Sequence, residues 1–381
     1  MSDASDLPVI ISLEVHAGPE QQEIMVEIMQ SSFRGLLVSD PPTDNPTLPS
    51  PAALRKKILI KVKYTDPEKA AAHVAGRSVG RPSLRHHDTS KSTSSSDSAT
   101  STKPSDTSLE KQDGKKKKPS SIIPSLSALG IYTRSYHFSS LASPDALVPT
   151  HIFSLSEKKF MKMHSSHGPT LFSHNRNFLM RAFPSGLRVR SDNLDPAVFW
   201  RKGVQMVALN WQRWDEGMML NEGMFNGSAG WVLKPPSYLG DNHPTQQGTD
   251  PIKAITTESQ SSQPHNTLTL RLSFFAAQSL PPPPNTHLPS FRPYFKTELH
   301  VEKPAERTGA PIEGGGKSKE KEGEKDGKYK HSSPLRGRGR EMDFGGERVE
   351  WVGVEGVVES LSFVRYLVPP YTPKIGLSRS V

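Results

Sequence analysis

Cysteine is absent from the 381 residues. That excludes disulfides and thiolate metal sites and removes any need for an oxidising compartment, so a cytoplasmic setting is expected. No stretch approaches the roughly 20 consecutive apolar residues that a membrane-spanning helix needs. Met1 is followed by acidic and polar residues rather than by the pattern of a signal peptide. Any membrane contact is therefore expected to be peripheral. Apolar residues are scarce at 34%, against 34 prolines and 28 glycines. A chain of this length can hold two domains, but one this polar cannot be folded throughout, and islands of core separated by disordered stretches are expected. Charge leans one way: 48 Lys and Arg against 39 Asp and Glu give a formal net charge of +9. This favours anionic partners, acidic lipid or nucleic acid, without choosing between them.

The first island opens with the nearly unbroken apolar run Pro8 to Val15, the mark of a parallel strand covered on both faces. Glu14 lies near its end. From Pro19 to Gln30 the period becomes helical, with Ile24, Met25, Ile28 and Met29 behind acidic Glu20 and Glu23. The segment Leu54 to Tyr64 ends in alternating Lys and Val and predicts a second strand. Residues 67–148 lose periodicity and read as a disordered linker rich in Ser, Thr and Lys, with a basic block at Lys115 to Lys118. Order is expected again over 149–240, with strands at Ile152–Ser154, Val204–Asn210 and Gly230–Lys234 and a helix over Glu157–His164. A third island, over 265–381, begins with the strict alternation Thr267 to Leu272 of a half-buried antiparallel strand. Tyr294–Val301 and Ser362–Val368 read as further strands, and 303–342, rich in Lys, Glu and Gly, as a disordered insertion.

Several islands together resemble delta-like eukaryotic phosphoinositide-specific phospholipase C enzymes. Pro8-Val-Ile-Ile-Ser-Leu-Glu-Val-His16 followed by Glu20-Gln-Gln22, and Lys57-Ile-Leu-Ile-Lys-Val-Lys63, are similar to the end of the family's X half. Ser154-Leu-Ser-Glu157, Ser173-His-Asn175, Pro184-Ser-Gly-Leu-Arg188, Trp200, Gly203 to Asn210 and Gly230-Trp-Val-Leu-Lys-Pro235 resemble its Y half. The resemblance implies an α/β fold: a partial TIM-like (β/α) barrel made of residues 1–66 and 149–240, split by the linker and followed by an incomplete C2-type β sandwich.

In function, the resemblance implies calcium-dependent hydrolysis of phosphatidylinositol 4,5-bisphosphate at an anionic membrane surface. It places one calcium ligand here, Glu14, and four head-group phosphate contacts, Lys61, Lys63, Ser154 and Arg181. A Lys ammonium and a forked Arg guanidinium are natural phosphate partners. Where the family pattern has Arg, one residue, then Tyr, this chain has Arg181-Ala-Phe183, so Phe183 is expected to pack on the inositol ring without a hydroxyl. His16, two residues past Glu14, is expected to be structural, and His164 and His167 solvated. The family's two catalytic histidines belong to the part of the X half that comes before Glu14. The isolated chain is therefore expected to bind head groups with negligible hydrolysis, and the alternative is a noncatalytic phosphoinositide-binding remnant. Arg292-Pro-Tyr resembles a C2 strand in which Asp, a calcium ligand, precedes the Pro. Nucleic acid is not expected as a partner, because the Lys-rich segments lack the interleaved aromatics that stack on bases.

Overall fold

The computed structural model describes residues 5–38, 48–66, 122–240, 266–282, 284–302, 328–335, 337–358 and 360–368. The expected linker over 67–121, with His86, His87 and the Lys115 to Lys118 block, and the insertion over 303–327 lie outside the described residues.

Six parallel strands stand side by side in chain order: β1 (Val9–Ser12), β2 (Ile58–Lys63), β3 (Arg134–Tyr136), β4 (His151–Ser156), β5 (Leu179–Phe183) and β6 (Met206–Val207). Parallel neighbours need long crossovers. Helices provide several of them: α1 (Pro19–Ser32) and α2 (Pro124–Ala128) before β3, and α3 (Glu157–Asn177) and α4 (Pro196–Trp200) after β4; α5 (Glu216–Phe225) follows the last strand, β6. The result is the expected α/β half-barrel. Pro19 at the first helical position and Gln21, whose Oε1 accepts from the Gly18 N–H, start α1.

Side chains alternate across the sheet, and the two faces have different fates. Ile11, Ile58, Ile60 and Val62 pack under α1 and α2 against Val26, Met29 and Leu126. Phe153, Leu155, Met180 and Ala182 pack under α3 and α4 against Phe160, Leu171 and Phe199. The other face carries the remaining residues of each strand.

The structure corrects several sequence expectations. Residues 122–148, assigned to the linker, contain α2 and β3, and β3 fills the gap between β2 and β4. A three-residue strand leaves no periodic signal of its own. The helix α1 buries Gln22, Val26 and Met29, whereas Ile24 and Ile28 are exposed. Both stripes fit helical spacing, and docking on the sheet selected one of them. Val204–Asn210 yields only the two-residue β6, and Gly230–Lys234 is irregular. That last segment closes back on the start of the chain: Trp231 Nε1 donates to the Pro8 carbonyl (2.9 Å) and Ser5 Oγ to the Ala229 carbonyl (2.8 Å).

The last island forms two antiparallel sheets, β7 (Asn266–Ala277) with β10 (Met342–Val357), and β8 (Lys296–His300) between β9 (Lys328–Ser332) and β11 (Phe363–Leu367). Leu270, Val354 and Val357 from one sheet meet Leu299 and Val364 from the other, which is sandwich packing. Two strands correct the sequence reading. β9 falls inside the expected insertion, and β10 escaped notice because Gly345, Gly346, Gly353 and Gly356, all at positive φ, punctuate it like a loop while forming bulges. The sandwich meets the half-barrel through a shared core of Trp200, Leu220 and Tyr238 with Val358, Leu361 and Phe363.

Candidate functional site

The register of the parallel sheet decides which predicted residues meet. Ser12 stands opposite Lys61, Lys63 opposite Ser135, and Ser154 opposite Arg181, while Ser156 pairs with Phe183. Paired residues in a ladder share a face, and so do residues two apart. Lys61, Lys63, Ser154, Arg181 and Phe183 therefore occupy the single face turned away from the helices. Glu14 continues that face two residues beyond β1, since Leu13 and Val15 beside it pack on the helix side.

This face is graded from end to end. Toward the N-terminal ends of the strands it is apolar, with Ile10 and Leu59 packed on Val38 and Ile131. Toward the C-terminal ends it turns polar and cationic, which is where (β/α) barrels assemble their active sites.

Lys61 is 5% exposed, and its Nζ lies 3.3 Å from Ser135 Oγ. Burial, reinforced by the Arg181 charge, lowers its pKa to about 8. Arg181 is held below its ordinary value by burial and pushed back up by Glu14. Two cations thus share one low-dielectric face. The Arg181 guanidinium lies 5.3 Å over the Phe183 ring, so the ring that lacks a hydroxyl still offers its π face to a planar cation. Ser154 Oγ is buried without a hydrogen-bond partner, a condition that costs about 1–3 kcal/mol. Lys63 is exposed at the end of β2. Glu14 is 89% exposed, with Oε1 3.1 Å from His16 Nε2. His16 is likewise exposed and touches Glu14, so its expected structural role is corrected to that of a surface neighbour.

Sequence reasoning missed Ser135, because its strand was assigned to the linker; a hydroxyl between two predicted strands leaves no signal. It also misplaced His164, which is buried, with Nδ1 lacking a partner and a pKa lowered to about 3 by burial and by Lys202. The loops that leave the C-terminal ends of β5 and β6 expose Leu187, Val189 and Trp211. The first loop is braced by Arg188, which pairs with Glu157 at 2.6 Å. Burial raises the Glu157 carboxyl, but hydrogen bonds from Arg188 and the Ser185 N–H outweigh it and leave its pKa below the ordinary value. Among the described residues no helix is long and apolar enough to cross a membrane.

The X domain profile of phosphatidylinositol-specific phospholipase C matches residues 1–64, and the Y domain profile of the same family matches residues 126–237. The chain is 34% identical over 243 residues to 1-phosphatidylinositol 4,5-bisphosphate phosphodiesterase 1 of Candida albicans, covering 61% of this chain and 22% of that protein. It is 34% identical over 236 residues to the delta-3-A phosphodiesterase of Danio rerio, covering 61% of this chain and 28% of the relative. Among solved structures it is similar to S. officinalis PLC21, with a TM-score of 0.59 and 22% identity over 96% of this chain and 39% of that one. The chain thus spans about a quarter of the length of these two curated relatives.

Proposed function

The chain belongs to the phosphatidylinositol-specific phospholipase C family, and from that premise we propose that it is the head-group-gripping part of a calcium-dependent phosphatidylinositol 4,5-bisphosphate phosphodiesterase. The observation that carries this reading is the pairing of buried Lys61 with Arg181 on one barrel face, beside the unpartnered Ser154 hydroxyl. Like charges are costly to bury together unless an anion joins them. A ring phosphate would turn that repulsion into two charge-assisted hydrogen bonds, with Ser154 as a neutral donor. Lys63, at the open end of the same face, reaches a more solvated phosphate, and Phe183 packs against the inositol ring.

Calcium binds oxygen ligands, and the exposed Glu14 carboxylate at the mouth of this face fits one position of such a shell. Among the described residues Glu14 belongs to no group of three metal ligands, so it would contribute one ligand among several. When bound, the ion would neutralise charge on the phosphodiester oxygens. Exposed Leu187, Val189 and Trp211 leave from the same end of the barrel, which suits peripheral docking on an anionic membrane with the head group drawn inward. We read residues 5–66 as the last part of the X half and 122–240 as the Y half of one partial barrel, and 266–368 as a C2-type domain.

The test is binding to vesicles of neutral lipid doped with phosphatidylinositol 4,5-bisphosphate or with plain phosphatidylinositol. The bisphosphate vesicles should bind more tightly, and Arg181→Ala should weaken them about tenfold or more, the worth of one charged hydrogen bond. Equal affinity for both lipids would overturn the assignment. Release of soluble inositol phosphate, with calcium and then with chelator, measures turnover separately. Binding without turnover supports the noncatalytic reading for this chain.

A further inference from the structure

At the seam between half-barrel and sandwich, three side chains from three elements converge. Asp195 caps α4, where its Oδ1 accepts from the Ala197 N–H. Glu216 opens α5 and His300 closes β8. Each offers one ligand atom, and the three atoms lie within 4.8 Å of one another.

The histidine shows what belongs between them. Its side chain is 2% exposed, and Nε2 lies 3.3 Å from Glu298 Oε2. Glu298 also accepts from Arg365 Nε at 2.9 Å. The carboxylate accepts in its contact with the histidine, so in the neutral imidazole Nε2 carries the proton and Nδ1 keeps a lone pair. Nδ1 is buried and has no hydrogen-bond partner. What faces it is Glu216 Oε1 at 3.9 Å, an acceptor facing an acceptor. A carboxylate that orients a histidine through one ring nitrogen, with the other nitrogen aimed at further carboxylates, is the arrangement of a metal-ligating imidazole and its supporting shell.

We propose that Asp195, Glu216 and His300 form a divalent metal site of the zinc class, with two carboxylate oxygens and one imidazole nitrogen as ligands. Glu216 is 32% exposed, which leaves a path for the ion and room for water to complete the shell. Zinc holds its donors about 2.0–2.2 Å away, so small side-chain rotations would draw the three atoms together. Arg365 already joins Glu216 and Glu298 across the same seam, with Nη2 3.0 Å from Glu216 Oε2. The metal would add a second clasp between α4, α5 and β8, fixing the sandwich against the barrel.

The experiment uses the whole chain, freed of metal with chelator and titrated with Zn²⁺ alone. Thermal unfolding and the visible absorption of substituted Co²⁺ are the readouts. One zinc per chain should bind and raise Tm, because an ion held only by the folded state stabilises it. Asp195→Asn keeps the helix cap, since Asn and Asp serve equally there, and should weaken zinc at least tenfold. His300→Gln should abolish the cobalt spectrum of a nitrogen-ligated site. An absent Tm shift in the unsubstituted chain would overturn the proposal. So would equal zinc affinity in Asp195→Asn, which would mark binding at exposed histidines instead.

Discussion

A lysine held at 5% exposure with a guanidinium acting on it is stable only because something else fixes its position. β2 is buried between β1 and β3, and its register sets where Lys61 points. The lowered pKa has two consequences of opposite sign. Between about 8 and 10.5 the unfolded chain holds a proton that the folded chain has lost, so conformational stability rises with pH across that window. The proposed phosphate binding needs the ammonium, so head-group affinity should fall as pH rises through about 8. Calorimetry of soluble inositol trisphosphate from about pH 7.5 to 9.5 should show affinity dropping toward tenfold per unit at the alkaline end. Lys61→Arg keeps its charge at those pH values and should flatten the profile. A slope that persists in the variant would place the titrating group elsewhere.

The element that holds the rim of the site is α5 together with the loop before α4. Asp215 caps α5 through the Met218 N–H (3.2 Å), and its other oxygen accepts from the Asn193 N–H (2.7 Å). Asn193 Oδ1 in turn accepts from the Asn210 N–H (2.6 Å), tying the end of β6 into the same knot. Gly217 in the first turn of α5 makes this close approach possible, because a Cβ there would sit 2.4 Å from the Leu194 carbonyl oxygen and 2.8 Å from Asn193 Cβ. On propensity alone Gly217→Ala would stabilise a helix by about 1 kcal/mol. Backbone contact wins over propensity here. The variant should instead lose about 1–3 kcal/mol, read as a lower denaturant midpoint at unchanged slope. A gain in stability would mean that the loop over α5 yields easily.

At the scale of the whole molecule, the half-barrel and the sandwich share a core, and buried arginines cross the seam. Arg201, almost wholly buried, donates from Nη1 to the Leu361 carbonyl (2.9 Å). Arg365 donates from Nε to Glu298 (2.9 Å) within the sandwich and from Nη2 to Glu216 on α5. Removing the cation of a buried ionic group strips its carboxylates of their main counter-charge, at a cost of about 3–5 kcal/mol. Arg365→Leu should therefore lower Tm well beyond what a surface substitution does. If unfolding becomes two separate transitions, Arg365 is what couples the two units. A shift under about 1 kcal/mol would show that the apolar core of Trp200, Phe363 and Tyr238 holds the seam alone.

Local pattern along the chain is enough to specify the parallel strands β1, β2 and β4, the helix after β1, the start of the sandwich and the residue types at the site. In each case the physical cause is local: apolar runs of strand length, helical spacing behind Pro19, and cations at alternating positions of a strand. Tertiary structure alone decided that Ser135 joins the site, since a three-residue strand gains its pairing only from β2 and β4 on either side. It chose Val26 and Met29 over Ile24 and Ile28 as the buried face of α1, because two stripes satisfied the same period and only docking distinguishes them. It set the pKa of Lys61 and the unpaired nitrogen of His300, because desolvation depends on what surrounds a group in space. It also brought Asp195, Glu216 and His300 together, from segments spread over more than a hundred residues, by packing one domain against another.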